Sequence, residues 1–287
     1  MNASETPFVF SCAGEPLIGI VHEPAQPART GVLIIVGGPQ YRIGSHRQFL
    51  LIARALAAAG VPAMRFDYRG MGDSGGDYAG FEHIDADIAA AIDAFMARHP
   101  SLREVVLWGL CDAASAALFY AHKDERVGGL VLVNPWVRTV AGEAKAYLKH
   151  YYWSRLVDGA FWRKVISGQF SVTSSLCSLL DLTKKARTRE AHSDDRALPL
   201  PQRMAEGLRR FSGPVLLIIS GNDLTAREFE DAAAASPLWR ELLGAPRVIS
   251  HRLDAADHTF SRREWRARVS AWTVAMVNQL PNGIAKA

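Results

Sequence analysis

Apolar residues fall along this chain in two alternating patterns. Nearly continuous runs occur at Gly31-Val32-Leu33-Ile34-Ile35-Val36, at Val61 to Phe66, at Val105-Val106-Leu107-Trp108, at Val127 to Val133 and at Pro214 to Ile219. A strand with so little polar face is covered on both sides, as at the centre of a parallel sheet. Between these runs lie segments of helical period. Residues 48–59 carry Phe49, Leu50, Ile52, Ala53 and Leu56 on one face and stop at Gly60, and residues 82–98 carry Ile84, Ile88, Ile92, Phe95 and Met96. Residues 8–23 alternate instead, which predicts two short strands joined by a glycine turn, with Cys12 in or beside them and given no role. A further short strand is expected near Arg247-Val248-Ile249, and a closing helix over Arg263 to Leu280 carries Trp265, Val269, Trp272, Val274 and Met276. Strand and helix in alternation mean a doubly wound, mostly parallel sheet with helices on both faces.

The rhythm breaks at about residue 137. Residues 138–210 show helical and irregular segments, early aromatics (Tyr147, Tyr151, Tyr152, Trp153, Phe161, Trp162) and a polar stretch at 183–203 whose Pro199 and Pro201 suggest loop. The expected organisation is therefore a core built from residues 1–137 and 211–287, with 138–210 inserted as a helical lid. Lysine and arginine exceed aspartate and glutamate by seven in that insertion, against +4 for the whole chain. Such a surplus is usually a solvated face; its functional alternative is attraction of an anionic acyl donor.

Composition narrows the classes. With 287 residues, 49% of them apolar and 22% charged, the chain can bury a large core. A net charge of +4 gives little reason to expect a nucleic-acid partner. No run of apolar residues is long enough to predict a membrane span, and the first residues lack the basic and apolar regions of a secretory signal. Cys12, Cys111 and Cys177 are too scattered for a disulfide framework or a zinc site. A cytoplasmic protein without metal or organic cofactor is expected.

The chemistry gathers where strands end. Val105 to Leu110 runs into Gly109-Leu110-Cys111-Asp112-Ala113 and then an alanine-rich helical pattern, the outline of a nucleophile elbow with Cys111 in the reactive place and Ala113 in that of the usual second glycine. Ser220-Gly221-Asn222-Asp223 follows one later strand, and Ala255-Ala256-Asp257-His258 another. Nucleophile, acid, histidine is a known order for hydrolytic triads. Cys111 would attack a carbonyl as a thiolate, His258 would hold and deliver the proton, and Asp223 would orient the imidazole, with Asp254 and Asp257 as rival acids. Backbone N–H groups of Asp112 and Gly38 are the expected oxyanion donors, Pro39 having none to give. Gln40, Tyr41 and Arg42, beside that loop with His46 and Arg47, and Trp136 after the strand at 127–133, are candidate substrate contacts. Ser74 and Ser115 are read as structural, and Asp67, Arg69 and Asp73 as a turn network.

With Gly37-Gly38-Pro39-Gln40-Tyr41-Arg42, Gly44-Ser45-His46-Arg47, Asp67-Tyr68-Arg69-Gly70-Met71-Gly72-Asp73-Ser74, the elbow, Asn134-Pro135-Trp136 and Asp257-His258-Thr259-Phe260, the chain resembles the α/β-hydrolase superfamily. More narrowly, it resembles the exosortase A system-associated hydrolases (type 1) of Gram-negative bacteria. The resemblance implies an α/β-hydrolase fold with an inserted lid, an acyl-ester or thioester substrate and a link to exopolysaccharide gene clusters. It departs from the superfamily at Val36, where a histidine often precedes the oxyanion glycines, and at Cys111, where most members use serine. The expected function is a cysteine hydrolase forming an S-acyl intermediate, its substrate a small ester or thioester that a coenzyme A or carrier protein could bear. Acyl transfer to a glycan hydroxyl is the alternative chemistry, and a silent binding or scaffold protein the alternative of another class.

Overall fold

A computed structural model describes residues 4–38, 40–137 and 198–280. The expected lid helices and their aromatic group, at 138–197, lie outside the described residues. By contacts the chain divides into one compact unit of residues 1–137 and 204–287 and another of 138–203.

Among the described residues the sheet has eight strands: β1 (Ser4–Cys12), β2 (Glu15–Glu23), β3 (Thr30–Ile35), β4 (Ala63–Phe66), β5 (Glu104–Leu110), β6 (Val127–Val133), β7 (Val215–Ser220) and β8 (Val248–Leu253). They lie in the order β1-β2-β4-β3-β5-β6-β7-β8. The β1–β2 hairpin and the β2–β4 pairing are antiparallel, and every pairing from β4 across to β8 is parallel. The continuous apolar runs are the inner strands. All six residues of β3 and all six of β7 are buried. This is the doubly wound, mostly parallel sheet that the alternation predicts, in the α/β-hydrolase form that the resemblance implies.

Helices α1 (Gln48–Ala58), α2 (Asp85–Arg98) and α3 (Asp112–Tyr120) bury the expected apolar faces. Three later helices depart from the sequence reading. Residues 200–203, expected as loop, begin α4 (Leu200–Arg210), because a proline in a helix's first turn removes only an N–H that has no partner there. Gly207 in α4 lies so close to α3 that a Cβ would sit 2.1 Å from the Leu118 carbonyl oxygen. The connection from β7 to β8 holds α5 (Leu224–Ala235) and α6 (Pro237–Leu243), which the apolar pattern does not reveal. Both are marked by caps: Asp223 accepts from the Thr225 and Ala226 N–H groups, and Ser236 from that of Trp239 ahead of a proline start. The last helix, α7, spans Arg263–Gln279.

Candidate active site

β5 lies between β3 and β6, and the elbow rises from its carboxyl end. Cys111 has φ 63° and ψ −127°, a left-handed conformation that a β-carbon disfavours and that the surrounding contacts must enforce. Its N–H donates to the Val133 carbonyl at 2.9 Å, and its own carbonyl accepts from Ala114 at 3.0 Å and from Trp136 at 3.2 Å. Glycine at 109 is obligatory: a Cβ there would meet the Ala113 carbonyl oxygen at 2.5 Å. Alanine in place of the second glycine is accommodated from across the turn, where a side chain at Gly37 would lie 3.2 Å from the Ala113 methyl and 2.3 Å from the Leu110 oxygen.

The acid and the histidine come from the ends of β7 and β8. Asp223 Oδ2 lies 2.7 Å from His258 Nδ1, and the carboxylate, only 6% exposed, also caps α5. Cys111 is near enough to the same ring to favour its charged form. Burial opposes charge on His258, but the hydrogen bond to Asp223 and the proximity of Cys111 prevail and push its pKa up to about 10. Of the acids near the histidine, Asp254 pairs with Arg252 at 2.7 Å and Asp257 accepts from the N–H and hydroxyl of Ser261. Both are directed away from the ring, which leaves Asp223 as its partner.

Asn134, which residue pattern alone did not single out for a role, holds these loops together. Fully buried, with φ 43°, it accepts the Ser220 N–H at 2.8 Å and donates to the His258 carbonyl at 3.0 Å. The advance signals were its place at the end of an apolar run before Pro135 and its part in the Asn134-Pro135-Trp136 motif of the resemblance. Ser115 donates its hydroxyl to the Trp136 carbonyl at 2.7 Å inside the core, a structural contact. Trp136 itself packs edge-on to Phe81 at 5.4 Å, next to the elbow.

The loop after β3 differs from expectation in detail. Gln40 accepts from the N–H and hydroxyl of Ser45, and Arg42 is bound by Asp67 and by Asp73, the latter at 2.7 Å. Gln40 thus braces its own loop, and Arg42 ties that loop to the one after β4. Tyr41 remains 44% exposed. Gly38 donates its N–H to Asp112 Oδ1 at 2.7 Å, so this expected oxyanion donor is engaged by a side chain of the elbow itself. Arg69 is paired with Asp87 at 2.8 Å, and Ser74 donates to the Asp67 carbonyl, in keeping with a structural turn.

Among the described residues no group of acids, histidines and cysteines could hold a metal ion, and no helix is long and apolar enough to cross a membrane.

Several solved structures share the architecture at low identity. The Pyrococcus furiosus esterase Pf2001 superposes with TM-score 0.64 at 16% identity, over 96% of this chain and 94% of that one. A thermostable carboxyl esterase from Bacillus coagulans, in complex with glycerol, gives 0.63 at 15%, over 96% and 99%. A cold-adapted esterase from an Arctic intertidal metagenomic library gives 0.60 at 16%, over 98% and 95%. At such identities the likeness is one of fold. No curated protein matches the chain significantly. The family model described as serine aminopeptidase, S33, matches residues 28–228, a span that takes in the sheet from its third strand through the elbow to the acid loop. The chain belongs to the serine aminopeptidase S33 family of hydrolases.

Proposed function

We propose that the protein is a cysteine-dependent hydrolase of esters or thioesters, acting through an S-acyl intermediate on Cys111. The observation that carries this reading is His258, held by Asp223 at 2.7 Å and close enough to Cys111 for its charged form to be favoured. An imidazolium beside a thiol is the arrangement that yields a thiolate at neutral pH. The sulfur forms a bond to the substrate carbonyl carbon, the resulting oxyanion collapses, and the carbon–oxygen or carbon–sulfur bond to the leaving group breaks as His258 gives it a proton. Water then attacks the thioester, losing a proton to His258, and the Cys111 thiolate departs with the carboxylic acid released. Asp223 keeps the imidazole oriented throughout. Backbone N–H groups of Asp112 and Gly38 hold the oxyanion in both halves of the reaction.

The family name specifies a serine and a peptide substrate, whereas the elbow here carries sulfur. A thiolate is a better leaving group than an amine, so from a tetrahedral adduct of an amide it is expelled first unless the nitrogen has been protonated. Esters and thioesters escape that difficulty, and the esterase activities named for the structural neighbours agree with them. The resemblance to exosortase-associated hydrolases makes acylated glycans, and carrier- or coenzyme A-linked acyl groups, the substrate classes to compare.

Intact-protein mass spectrometry after mixing with p-nitrophenyl esters and acyl-coenzyme A thioesters tests the reading. The expected result is an acyl mass gain that turns over in the native protein and is absent in Cys111→Ala. An adduct that persists until a glycan acceptor is supplied would reassign the enzyme as a transferase. An unmodified Cys111 with every donor would overturn the proposal in favour of a binding protein.

A further inference from the structure

One of the two donors assigned to the oxyanion is already engaged by a carboxylate oxygen. The Asp112 carboxylate accepts the Gly38 N–H at 2.7 Å. Its seat is made for it: a Cβ on Gly37 would lie 2.6 Å from Asp112 Oδ1, so only glycine leaves the oxygen its place. The neighbouring charges do not recommend the position. Cys111 precedes it and Asp223 lies across His258, so two further groups that bear negative charge when ionised stand close by, with His258 as the cation in range. Burial disfavours the charged carboxylate and prevails, so its pKa is raised even though the Gly38 N–H favours the charge.

We propose that Asp112 is the resident occupant of the oxyanion pocket, an internal anion that a substrate carbonyl must displace before Cys111 can be acylated. The inference rests on the cysteine-hydrolase reading above and adds a regulation of the same site. A backbone N–H cannot serve a carboxylate and an oxyanion at full strength together, so each turnover begins with the carboxylate giving up Gly38. Asp112 is partly exposed, and rotation about its Cα–Cβ bond returns the carboxylate to water. Such a device slows acylation by substrates that bind weakly and admits those whose remaining contacts compensate for the displacement.

The test compares two reactions of the same sulfur at one pH. Iodoacetamide alkylates Cys111 by direct displacement of iodide and forms no tetrahedral oxyanion, so its rate reports the thiolate alone. p-Nitrophenyl acetate acylates Cys111 through an oxyanion, so its rate reports both. In Asp112→Ala the ratio of acylation to alkylation should rise at least about tenfold, a fraction of the effect usually seen when an oxyanion donor is deleted. Asp112→Asn keeps the shape and an acceptor oxygen without the charge, and its ratio should rise about threefold, since charge-assisted hydrogen bonds are the stronger kind. The Asn variant stands in if Asp112→Ala does not fold. A native enzyme that is acylated, with ratios unchanged or lower in the variants, overturns this inference and leaves the hydrolase reading standing. Alkylation of Cys111 without acylation in any variant overturns both.

Discussion

Asp223 serves His258 and its own helix with one carboxylate: Oδ2 meets the imidazole Nδ1 at 2.7 Å, while Oδ1 and Oδ2 accept the N–H groups that open α5. The capping bonds fix the carboxylate's position before it meets the ring, so the histidine is oriented by a group that is itself immobilised. Asp223→Asn should keep most of the cap and lose the charge. Ester turnover should fall by about 10³- to 10⁴-fold with little change in the thermal midpoint. Asp223→Ala should show the same kinetic loss plus about 1 kcal/mol of destabilisation in chemical denaturation.

The elevated pKa of His258 makes a prediction about stability against pH. Its folded value, about 10, lies above the unfolded value near 6.5, so the fold favours the proton. The stabilisation is present in full below about pH 6.5 and is lost as pH rises through about 10. Denaturation midpoints of the native protein should therefore decline across that window, and His258→Gln should remove this part of the decline. Cys111→Ala, which takes away one of the raising contacts, should move its upper edge to lower pH.

Asn134 ties the ends of β6 and β7 to the histidine loop through two hydrogen bonds in the core. Asn134→Ala leaves the Ser220 N–H and the His258 carbonyl without that partner and keeps a β-carbon at φ 43°. A loss of about 2–4 kcal/mol in urea titration is expected. Asn134→Gly relieves the backbone and still loses the bonds, so its activity should stay low even where its stability partly recovers.

The two small positions of the elbow should respond in opposite ways. Gly109→Ala drives a methyl into the Ala113 backbone at 2.5 Å and should cost about 3 kcal/mol or prevent folding. Ala113→Gly restores the usual motif and should cost no more than about 1 kcal/mol, the ordinary penalty for glycine in a helix. Circular dichroism melts of the pair would check both.

What could be read from the residues follows how each element is stabilised. β3, β5, β6 and β7 are buried along nearly their whole length, so burial alone writes them into the sequence. β8 is the edge strand and half exposed, and the polar residues Ser250, His251 and Arg252 hid its second half. α5 buries only Ala226, Phe229 and Ala233, and α4 carries a buried face of Met204, Ala205 and Leu208 whose first turn was masked by Pro199 and Pro201. The order of chemistry-bearing loops was legible because topology sends the carboxyl ends of parallel strands to one side of the sheet. The engagement of Gly38 by Asp112, and of Arg42 by Asp67 and Asp73, was not legible. Those contacts join residues distant in sequence whose types suit many partners.

The left-handed turn at Cys111 is imposed by its neighbours: by Gly109, by the room Gly37 leaves, and by the hydrogen bond to Val133. None of these depends on the sulfur. A cysteine and a serine codon can differ by a single base, so, on the proposed reading, a point mutation could exchange one nucleophile for the other without rebuilding the backbone beneath it. On this elbow the choice between thiolate and alkoxide chemistry is open to selection in one step, and Cys111→Ser reproduces that step in the laboratory.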